Sequence, residues 1–129
     1  MHLNDKKKKV IVFIRHGKSS WKHPVDDLMR PLKKRGISDI CLVANEFLKF
    51  KIESDLVVSS PAKRALDTCR IFMKTLDISE QMLQINPLLY DFEGNKTLNF
   101  IKNLNNYNDT IILFGHNYGF TSLINQLGK

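Results

Sequence analysis

The chain has 129 residues, of which 43% are hydrophobic and 26% are charged, and its formal net charge is +7. This length and composition are typical of one globular domain with a single core. No apolar stretch reaches the ~20 residues that a membrane span needs, and the apolar run near the N-terminus is too short for a signal peptide, so we expect a cytoplasmic protein.

The N-terminus is strongly basic, because residues 6–9 are four consecutive lysines. Such a run is usually a solvated, frayed tail, and only in a minority of cases does it contact nucleic acid or another acidic surface. We therefore predict a flexible basic tail over residues 1–9 and one folded domain over residues 10–129, with neither a nucleic acid nor a membrane as partner.

Apolar runs and helical stripes alternate in the first half of that domain. A run of β-branched residues predicts a strand buried on both faces at residues 10–14, and apolar residues at helical spacing predict a helix at about 36–49. A second apolar run predicts a strand at 56–59. Ser60 and Pro61 suit the N-cap and the first position of the helix that follows.

The two cysteines of the chain, Cys41 and Cys69, fall on the apolar stripes of these two helices. Free cysteines in such positions are usually buried and behave as small apolar residues. Because the two residues also lack tight spacing, we predict two buried free thiols rather than a disulfide framework or a zinc site.

The second half of the domain continues the alternation. We predict a short strand at 82–85, a helix at 96–104, a strand at 110–114 and a last short helix at 120–127. Alternating strands and helices predict an α/β fold, here a three-layer α/β/α sandwich whose central sheet is mainly parallel. The chain ends almost directly after the last helix, which is compatible with a missing C-terminal edge element.

Polar residues directly follow three of the predicted strands. The tripeptide Arg-His-Gly at 15–17 follows the first strand, Arg64 lies a few residues beyond the second, and His116 follows the strand at 110–114. In open α/β sheets, ligand sites form outside the carboxyl ends of the strands. We therefore expect these groups to meet around one anion-sized hollow at one edge of the sheet.

The residue types in this set favour phosphoryl chemistry. A neutral imidazole is nucleophilic near pH 7, which makes His16 the candidate nucleophile. Arg15 and Arg64 can hold a phosphoryl group through paired hydrogen bonds, and His116 can donate a hydrogen bond to the transferring oxygens. Two arginines would repel a cation and the chain has no glycine-rich nucleotide loop, so we expect neither a metal nor another cofactor.

Four segments together resemble the histidine phosphatase superfamily. Residues 15–21 resemble its phosphate pocket, and the Arg-Pro-Leu segment at 30–32 resembles the stretch between its first strand and first helix. Residues 59–68 resemble its second motif, and Gly-His-Asn at 115–117 resembles its third. The order and spacing match from residue 10 to about 127, and the short length and the Arg-Pro-Leu segment point to the small SixA-type phosphohistidine phosphatase branch.

The resemblance implies a phosphoglycerate mutase-like fold and a phosphatase without a cofactor. In this pattern His16 attacks phosphorus and becomes a phosphohistidine, which water then hydrolyses, while Arg15, Arg64 and His116 bind the phosphoryl group. Further positions near the mouth of the pocket are implied to bind substrate, namely Lys18, Ser19, Arg30 and Asn117.

Larger members of the family supply a carboxylic acid that protonates the leaving group, from the region after the third strand. In this chain Asp91 and Glu93 occupy that region and are the candidate general acids, although no acid motif is matched. General acid catalysis contributes about 10²–10⁴-fold, and alkoxide leaving groups need it most. A phosphoramidate leaves more readily because its nitrogen can be protonated beforehand, so the expected substrate is phosphohistidine on a protein or, failing that, a small phosphorylated molecule.

Two other functions are compatible with the same residues. A phosphoglycerate mutase-like phosphotransferase would use the same nucleophile, but the known mutases of the superfamily are longer and carry inserted substrate elements. A non-catalytic phosphoprotein-binding module would use the basic pocket without turnover, and the presence of both His16 and His116 argues against it.

Overall fold

A parallel sheet forms the centre of the computed structural model, which describes residues 10–104 and 109–117 of the chain. Within these ranges the sheet has four strands in the order β1-β4-β2-β3, and these strands are β1 (Val10–Arg15), β2 (Leu56–Ser59), β3 (Leu83–Ile85) and β4 (Thr110–Gly115). The described helices are α1 (Lys34–Leu48), α2 (Lys63–Thr75) and α3 (Asn95–Lys102). The predicted α/β fold with a parallel central sheet is therefore confirmed.

Two apolar cores cover the two faces of this sheet, because successive side chains of a strand point to opposite sides. On one face, Val57 and Ile112 pack with buried residues of α1 and α2, such as Ala44 and Phe72. On the other face, the neighbouring residues of β2 and β4 pack against α3 and the segment before it. The helices thus form the two outer layers of an α/β/α sandwich.

The register of the sheet brings the carboxyl ends of β1, β2 and β4 to one edge. Two hydrogen bonds extend the pairing by one residue beyond the strands. The His16 N–H donates to the carbonyl of Gly115 at 3.1 Å, and the Ser60 N–H donates to the carbonyl of Phe114 at 2.9 Å. Backbone pairing alone therefore fixes the positions of His16, Ser60 and His116 relative to one another.

Helix α1 packs so closely against the loop after β1 that two glycines are required at the contact. A Cβ atom at Gly36 would clash with the main-chain oxygen of Lys18, and a Cβ atom at Gly17 would clash with the side chain of Ile40. Because the first of these clashes involves backbone, it could be relieved only by moving the loop. The two glycines thus let α1 support the backbone that carries His16.

The predicted start of α2 is wrong by two residues. The helix begins at Lys63, and its N-cap is Ala62, whose backbone is extended. Ser60 still satisfies a main-chain donor, because its Oγ accepts the N–H of Ala62 at 3.2 Å. The chain therefore stays extended for two residues longer than the Ser-Pro pair suggested, and the Ser60 side chain lies just ahead of the helix.

The prediction of two buried thiols is correct for Cys69 and wrong for Cys41. Cys69 is fully buried, and burial raises the pKa of its thiol to about 12. Cys41 is exposed, because the buried positions of α1 are Gly36, Ile40 and Ala44, which follow a four-residue spacing. A residue next to Ile40 lies about 100° further round the helix and faces away from the sheet.

The other predicted elements agree in position with the described structure, but the expectation that the first strand is buried on both faces is wrong, because the residues of β1 are only partly buried or exposed. The strand predicted at 82–85 corresponds to β3, which follows a 3₁₀ helix at Glu80–Met82, and the helix predicted at 96–104 corresponds to α3. The helix predicted at 120–127 and the basic tail at 1–9 lie outside the described residues. Among the helices that are described, none has both the length and the apolar character of a bilayer-crossing segment.

Candidate active site

A cavity of about 360 Å³ lies where β1, β2 and β4 end. Its walls come from the loop after β1, the first turn of α2, the segment before α3 and the residues after β4. The residues that line it are Arg15, His16, Ser19, Trp21, Asp27, Arg30, Arg64, Phe92, His116 and Asn117. The cavity therefore contains all four side chains on which the expectation of phosphoryl chemistry depends.

His16 is held in a defined tautomer. Its Nδ1 atom lies 2.6 Å from the carbonyl oxygen of Gly17, and because a carbonyl only accepts, Nδ1 carries the proton. Nε2 thus carries the lone pair, which accepts a long hydrogen bond from Nε of Arg64 at 3.4 Å. Burial lowers the pKa of His16, the Gly17 hydrogen bond opposes this, and the charges of Arg64, Arg15 and Arg30 lower it further. The imidazole is therefore neutral at pH 7.

Arg64 lies in the first turn of α2 with its side chain almost completely buried. Besides the contact from Nε to His16, both terminal nitrogens of its guanidinium bind Asp27. Nη2 donates to Oδ2 of the Asp27 carboxylate at 2.9 Å, and Nη1 donates to the Asp27 main-chain oxygen at 2.6 Å. The fork that would hold an incoming anion is therefore occupied by an internal carboxylate.

Asp27 is the functional candidate that the sequence patterns missed. Burial alone would raise the pKa of this carboxyl group, but hydrogen bonds from Tyr90 and Arg64, together with the Arg64 charge, lower it to about 2. The Tyr90 hydroxyl donates to Oδ2 at 2.6 Å. Asp27 lies on a short 3₁₀ helix in a polar loop, where no hydrophobic periodicity marks it. Its spacing of three residues from Arg30, with which it forms an ion pair, is the one local feature that could have indicated it.

Arg30 forms part of the cavity wall rather than an open anion site. Its guanidinium donates to Oδ1 of Asp27 at 3.3 Å and to the hydroxyl of Ser19, and it lies 3.6 Å above the ring of Trp21. The side chain is 9% exposed. Through its contacts with Asp27 and Ser19, Arg30 tightens the loop that carries Asp27.

His116 is buried against aromatic rings at the back of the cavity. Its ring centroid lies 4.7 Å from that of Phe92, and 5.4 Å from those of Tyr90 and His16. Its Nε2 atom lies 2.9 Å from Oγ of Ser60. Burial, followed by the Arg64 charge, lowers the pKa of His116 to about 3, so this ring is also neutral at pH 7.

The charges around the cavity favour an anion. Arg15, Arg30 and Arg64 contribute three positive charges, whereas Asp27 is the one carboxylate among the lining residues. Both lining histidines are neutral at pH 7, so the wall is positive overall. Within the described ranges, no three His, Cys, Asp or Glu side chains are grouped as metal ligands would be.

The remaining substrate-binding candidates lie at the mouth or beyond it. Arg15 and Asn117 are exposed residues of the cavity wall, and Ser19 also lines it. Lys18 does not line this cavity. It lines a neighbouring hollow of about 270 Å³ on the α1 side of the His16 loop, together with Asp39.

Asp91 and Glu93 line a different cavity, beside the start of α3. The Asp91 carboxylate accepts the main-chain N–H groups of Glu93 at 3.1 Å and of Thr97 at 2.9 Å. Burial would raise its pKa, but these hydrogen bonds lower it below the ordinary value. The structure therefore places Asp91 as an ionised cap of α3, a poor position for a proton donor to the cavity at His16.

Replacing Asp91 by alanine is expected to lower the free energy of unfolding by about 1–2 kcal/mol while changing kcat little, because a helix cap is lost. A carboxyl group whose pKa is lowered in the folded state stabilises the protein above its ordinary pKa, and that contribution is lost as the pH falls through the lowered value. Urea unfolding at pH 7 and at acid pH tests this, with exposed Lys96→Ala as the control. A large fall in kcat at unchanged stability would instead make Asp91 part of the chemistry.

Comparisons with known proteins agree with this geometry. The family model described as histidine phosphatase superfamily (branch 1) matches residues 11–120, whereas curated protein sequences give no significant match. The protein assigned as phosphohistidine phosphatase SixA in Agrobacterium tumefaciens has a TM-score of 0.82 at 20% identity, over 92% of this chain and 76% of that one.

Two further solved structures are similar. The protein histidine phosphatase SixA complexed with tungstate has a TM-score of 0.80 at 23% identity, over 91% of this chain and 75% of that one. The Escherichia coli protein assigned as an α-ribazole-5′-P phosphatase has a TM-score of 0.71 at 19% identity, over 93% and 79% of the two chains. At these identities the structural likeness establishes the fold.

Proposed function

Because this chain belongs to the histidine phosphatase superfamily, we propose that it is a phosphatase in which His16 takes the phosphoryl group and water releases it. The observation that carries the proposal is the state of His16. Its Nδ1 proton is bound to the Gly17 carbonyl, so the Nε2 lone pair faces the cavity beside Arg64. A neutral imidazole with a fixed, accessible lone pair is what nucleophilic attack on phosphorus requires.

The reaction proceeds in two displacements at phosphorus. In the first, Nε2 of His16 forms a bond to phosphorus while the bond to the leaving group breaks. In the second, water attacks phosphorus, the bond to Nε2 breaks, and His16 recovers its lone pair as phosphate departs. Arg64, Arg15 and His116 stabilise the charge on the equatorial oxygens, which is the main catalytic task in phosphoryl transfer.

Asp27 acts as the counter-ion of Arg64 until substrate arrives. An entering phosphoryl group offers the guanidinium new acceptors and competes with the Asp27 carboxylate for Nη2. The Asp27 side chain is 41% exposed, so it can turn towards water when it is displaced. The exchange keeps the buried guanidinium paired at every stage, which avoids the large penalty of an unpaired buried charge.

We further propose that the substrate is a phosphoramidate, namely phosphohistidine on a protein. Asp27 is the one carboxylate that lines the cavity, and with Arg64 and Tyr90 bound to it, its pKa is about 2, so it enters the reaction ionised and without a proton for a leaving group. An ester whose alkoxide must be protonated would lose the ~10²–10⁴-fold that a general acid supplies. The leaving nitrogen of phosphohistidine can be protonated before cleavage and needs no such group.

The rim of the cavity supports a protein substrate with an aromatic leaving group. Trp21 and Phe92 both line the cavity and are 76% and 44% exposed, so a departing imidazole could stack on either ring. Arg15 is exposed beside them and is available to an anionic group of the substrate. The SixA structure that contains tungstate, a tetrahedral oxyanion, is a further reason to expect oxyanion binding in this fold.

Rates of phosphate release from three substrates test the proposal. We expect kcat/KM for a histidine-phosphorylated carrier protein to exceed that for a phosphoserine peptide by at least about 10²-fold, with an aryl phosphate in between, since the three leaving groups differ in their need for an acid. Equal rates on phosphohistidine and phosphoserine would contradict the substrate assignment. Isomerisation of a phosphoglycerate would indicate a phosphotransferase, and tight binding without phosphate release would indicate a binding module.

A further inference from the structure

The second histidine of the cavity has one polar atom whose partner is missing among the described residues. His116 is 1% exposed, and its Nδ1 atom is buried without a hydrogen-bond partner in that part of the chain. Its other ring nitrogen, Nε2, faces the hydroxyl of Ser60. A neutral imidazole carries one proton, so the direction of the Ser60 hydrogen bond decides whether Nδ1 is a donor or an acceptor.

The position of Ser60 is fixed by the sheet. Its N–H donates to the carbonyl of Phe114, which is two residues before His116, and its side chain is fully buried. Its Oγ accepts the N–H of Ala62 at 3.2 Å. The 2.9 Å distance between Oγ and Nε2 of His116 is therefore set by backbone pairing between β2 and β4.

Two directions of this hydrogen bond can be compared by the groups they leave unpaired. If Nε2 donated to Ser60, the Ser60 proton would have no acceptor among the described residues, and the Nδ1 lone pair would have no donor. If Ser60 donates to Nε2, its proton is used and only the Nδ1 proton is left over. Since buried polar groups are rarely left unpaired, the second direction is favoured.

The second direction also suits an anion. A phosphoryl oxygen accepts hydrogen bonds, so it would pair with a proton on Nδ1 and would be repelled by a lone pair there. Burial is the main reason why the pKa of this ring is lowered; the charged and titratable groups that act on it are Arg64, His16 and Arg30, which lower the pKa further, and Asp27, which opposes them, so the ring is neutral in the empty site. The proton on Nδ1 is thus available as a hydrogen-bond donor before substrate arrives.

We infer that Ser60 is a positioning residue: its hydroxyl donates to Nε2 of His116, holds the proton on Nδ1, and so aims a donor at an oxygen of the bound phosphoryl group. Only the last part of this role, the hydrogen bond from Nδ1 to a phosphoryl oxygen, rests on the proposed phosphatase function. The tautomer of His116 in the empty protein is inferred from the Ser60 contact and the unpaired Nδ1, so it can be measured whether or not the protein hydrolyses anything.

The first test is the tautomer itself. In the full chain labelled with ¹⁵N-histidine, long-range ¹H–¹⁵N spectra distinguish protonated from unprotonated ring nitrogens, and the His116 signals are assigned by their loss in His116→Gln. We expect a proton on Nδ1 and none on Nε2 in the wild type, and a change in the Nδ1 proton resonance when inorganic phosphate is added. A proton on Nε2 in the wild type would overturn the inference. This measurement needs no Ser60 variant, so it stays decisive even if Ser60→Ala fails to fold.

The second test is kinetic and uses a neighbouring serine as the control. Ser59 is equally buried, but its hydroxyl donates to the Ser60 carbonyl, so Ser59→Ala changes the same strand without touching His116. We expect Ser60→Ala to lower kcat about 10- to 100-fold with little change in KM, and Ser59→Ala to leave both near the wild-type values. Ser60→Thr, which keeps the hydroxyl, should recover most of the lost rate.

Combined outcomes separate this inference from the function it serves. A wild-type tautomer as expected without hydrolysis of any phosphorylated substrate would support the Ser60 contact and refute the phosphatase proposal. Equal losses in Ser60→Ala and Ser59→Ala would show that the serines act through folding and would overturn the positioning role. A Ser60→Ala variant with unchanged rate and unchanged tautomer would overturn it as well.

Discussion

Replacing His16 by alanine is expected to lower kcat for phosphate release by about 10⁴-fold or more, because the variant has no group that can form the covalent intermediate. Substrate binding should survive in part, since Arg64 and Arg15 remain. His16 is only half-buried and its Nδ1 hydrogen bond is to the next residue, so the variant should fold normally. Initial rates with a phosphohistidine protein and with an aryl phosphate measure the loss.

A second histidine in the same loop provides the control. His23 is exposed and does not line the cavity, so His23→Ala should keep the wild-type rate. If His16→Ala retained more than about a tenth of the wild-type kcat, nucleophilic catalysis by His16 would be refuted, because removal of a covalent nucleophile has far larger effects.

The same residue determines the acid limb of the pH profile. His16 must be neutral to attack, and its pKa is lowered by burial and by the neighbouring arginines. A base with a lowered pKa stays active as the pH falls below the ordinary histidine value of about 6.5, and loses activity only as the pH passes through the lowered pKa. We therefore expect the activity to fall only below pH ~6.5. The fall should come at the same pH with the phosphohistidine protein and with the aryl phosphate, which would assign it to the enzyme rather than to the titration of a substrate. A limb above that value would contradict the assigned environment.

Replacing Arg64 by alanine is expected to lower kcat/KM by about 10³-fold, because the variant loses the charge and the two-pronged contact on the transferring oxygens. Arg64→Lys keeps the charge but has no planar fork, so we expect it to recover only part of the rate. Arg70 on the same helix supplies the control. Its guanidinium forms an exposed ion pair with Glu80, so Arg70→Ala should leave the rate unchanged.

Arg64→Ala should also destabilise the protein, which distinguishes this arginine from a purely catalytic one. The buried guanidinium pairs with Asp27, and its loss should lower the free energy of unfolding by about 1–3 kcal/mol. This is less than the penalty for breaking a fully buried pair, because the Asp27 carboxylate can be hydrated. Arg70→Ala should cost at most about 0.5 kcal/mol, as is usual for exposed ion pairs.

The pH dependence of this stability difference has a defined sign. Asp27 has a lowered pKa of about 2 in the folded protein, so its pairing with Arg64 stabilises the fold above the ordinary carboxyl pKa. The difference between wild type and Arg64→Ala should therefore be full at pH 7 and shrink as the pH falls from about 4 towards 2. Urea unfolding of both proteins over this range measures it, and a difference that grew towards acid pH would refute the pairing as the cause.

The strands and the ends of strands could be predicted from the amino-acid sequence. Apolar runs of three to five residues are local signals, and they place β1, β2 and β4 almost to the residue. Once the sheet is known to be parallel, the residues after each strand must meet at one edge. His16, Arg64 and His116 are indeed brought to one cavity, although they lie in three different segments of the chain.

The side chains that polarise this cavity could not be predicted in the same way. Asp27 binds Arg64 across 37 residues, and Ser60 binds His116 across 56 residues. Neither contact follows a helical or strand period, because the first depends on how the loop that carries Asp27 folds over the sheet edge and the second on the pairing of β2 with β4. For the candidate general acid Asp91 the sequence was misleading. Asp91 lies in the region after the third strand, where an acid was expected, but its carboxylate caps α3.

The local sequence pattern by itself thus determined where the chain forms strands and helices, because hydrophobic periodicity is a property of neighbouring residues. It also determined which edge of the sheet receives the histidines and arginines, because these residues follow the strands directly in the chain. Tertiary structure alone decided the internal partner of Arg64, the serine that contacts His116 and the exposure of Cys41. These depend on hydrogen bonds and burial between segments that are distant in the chain, and such contacts leave no periodic trace in the sequence.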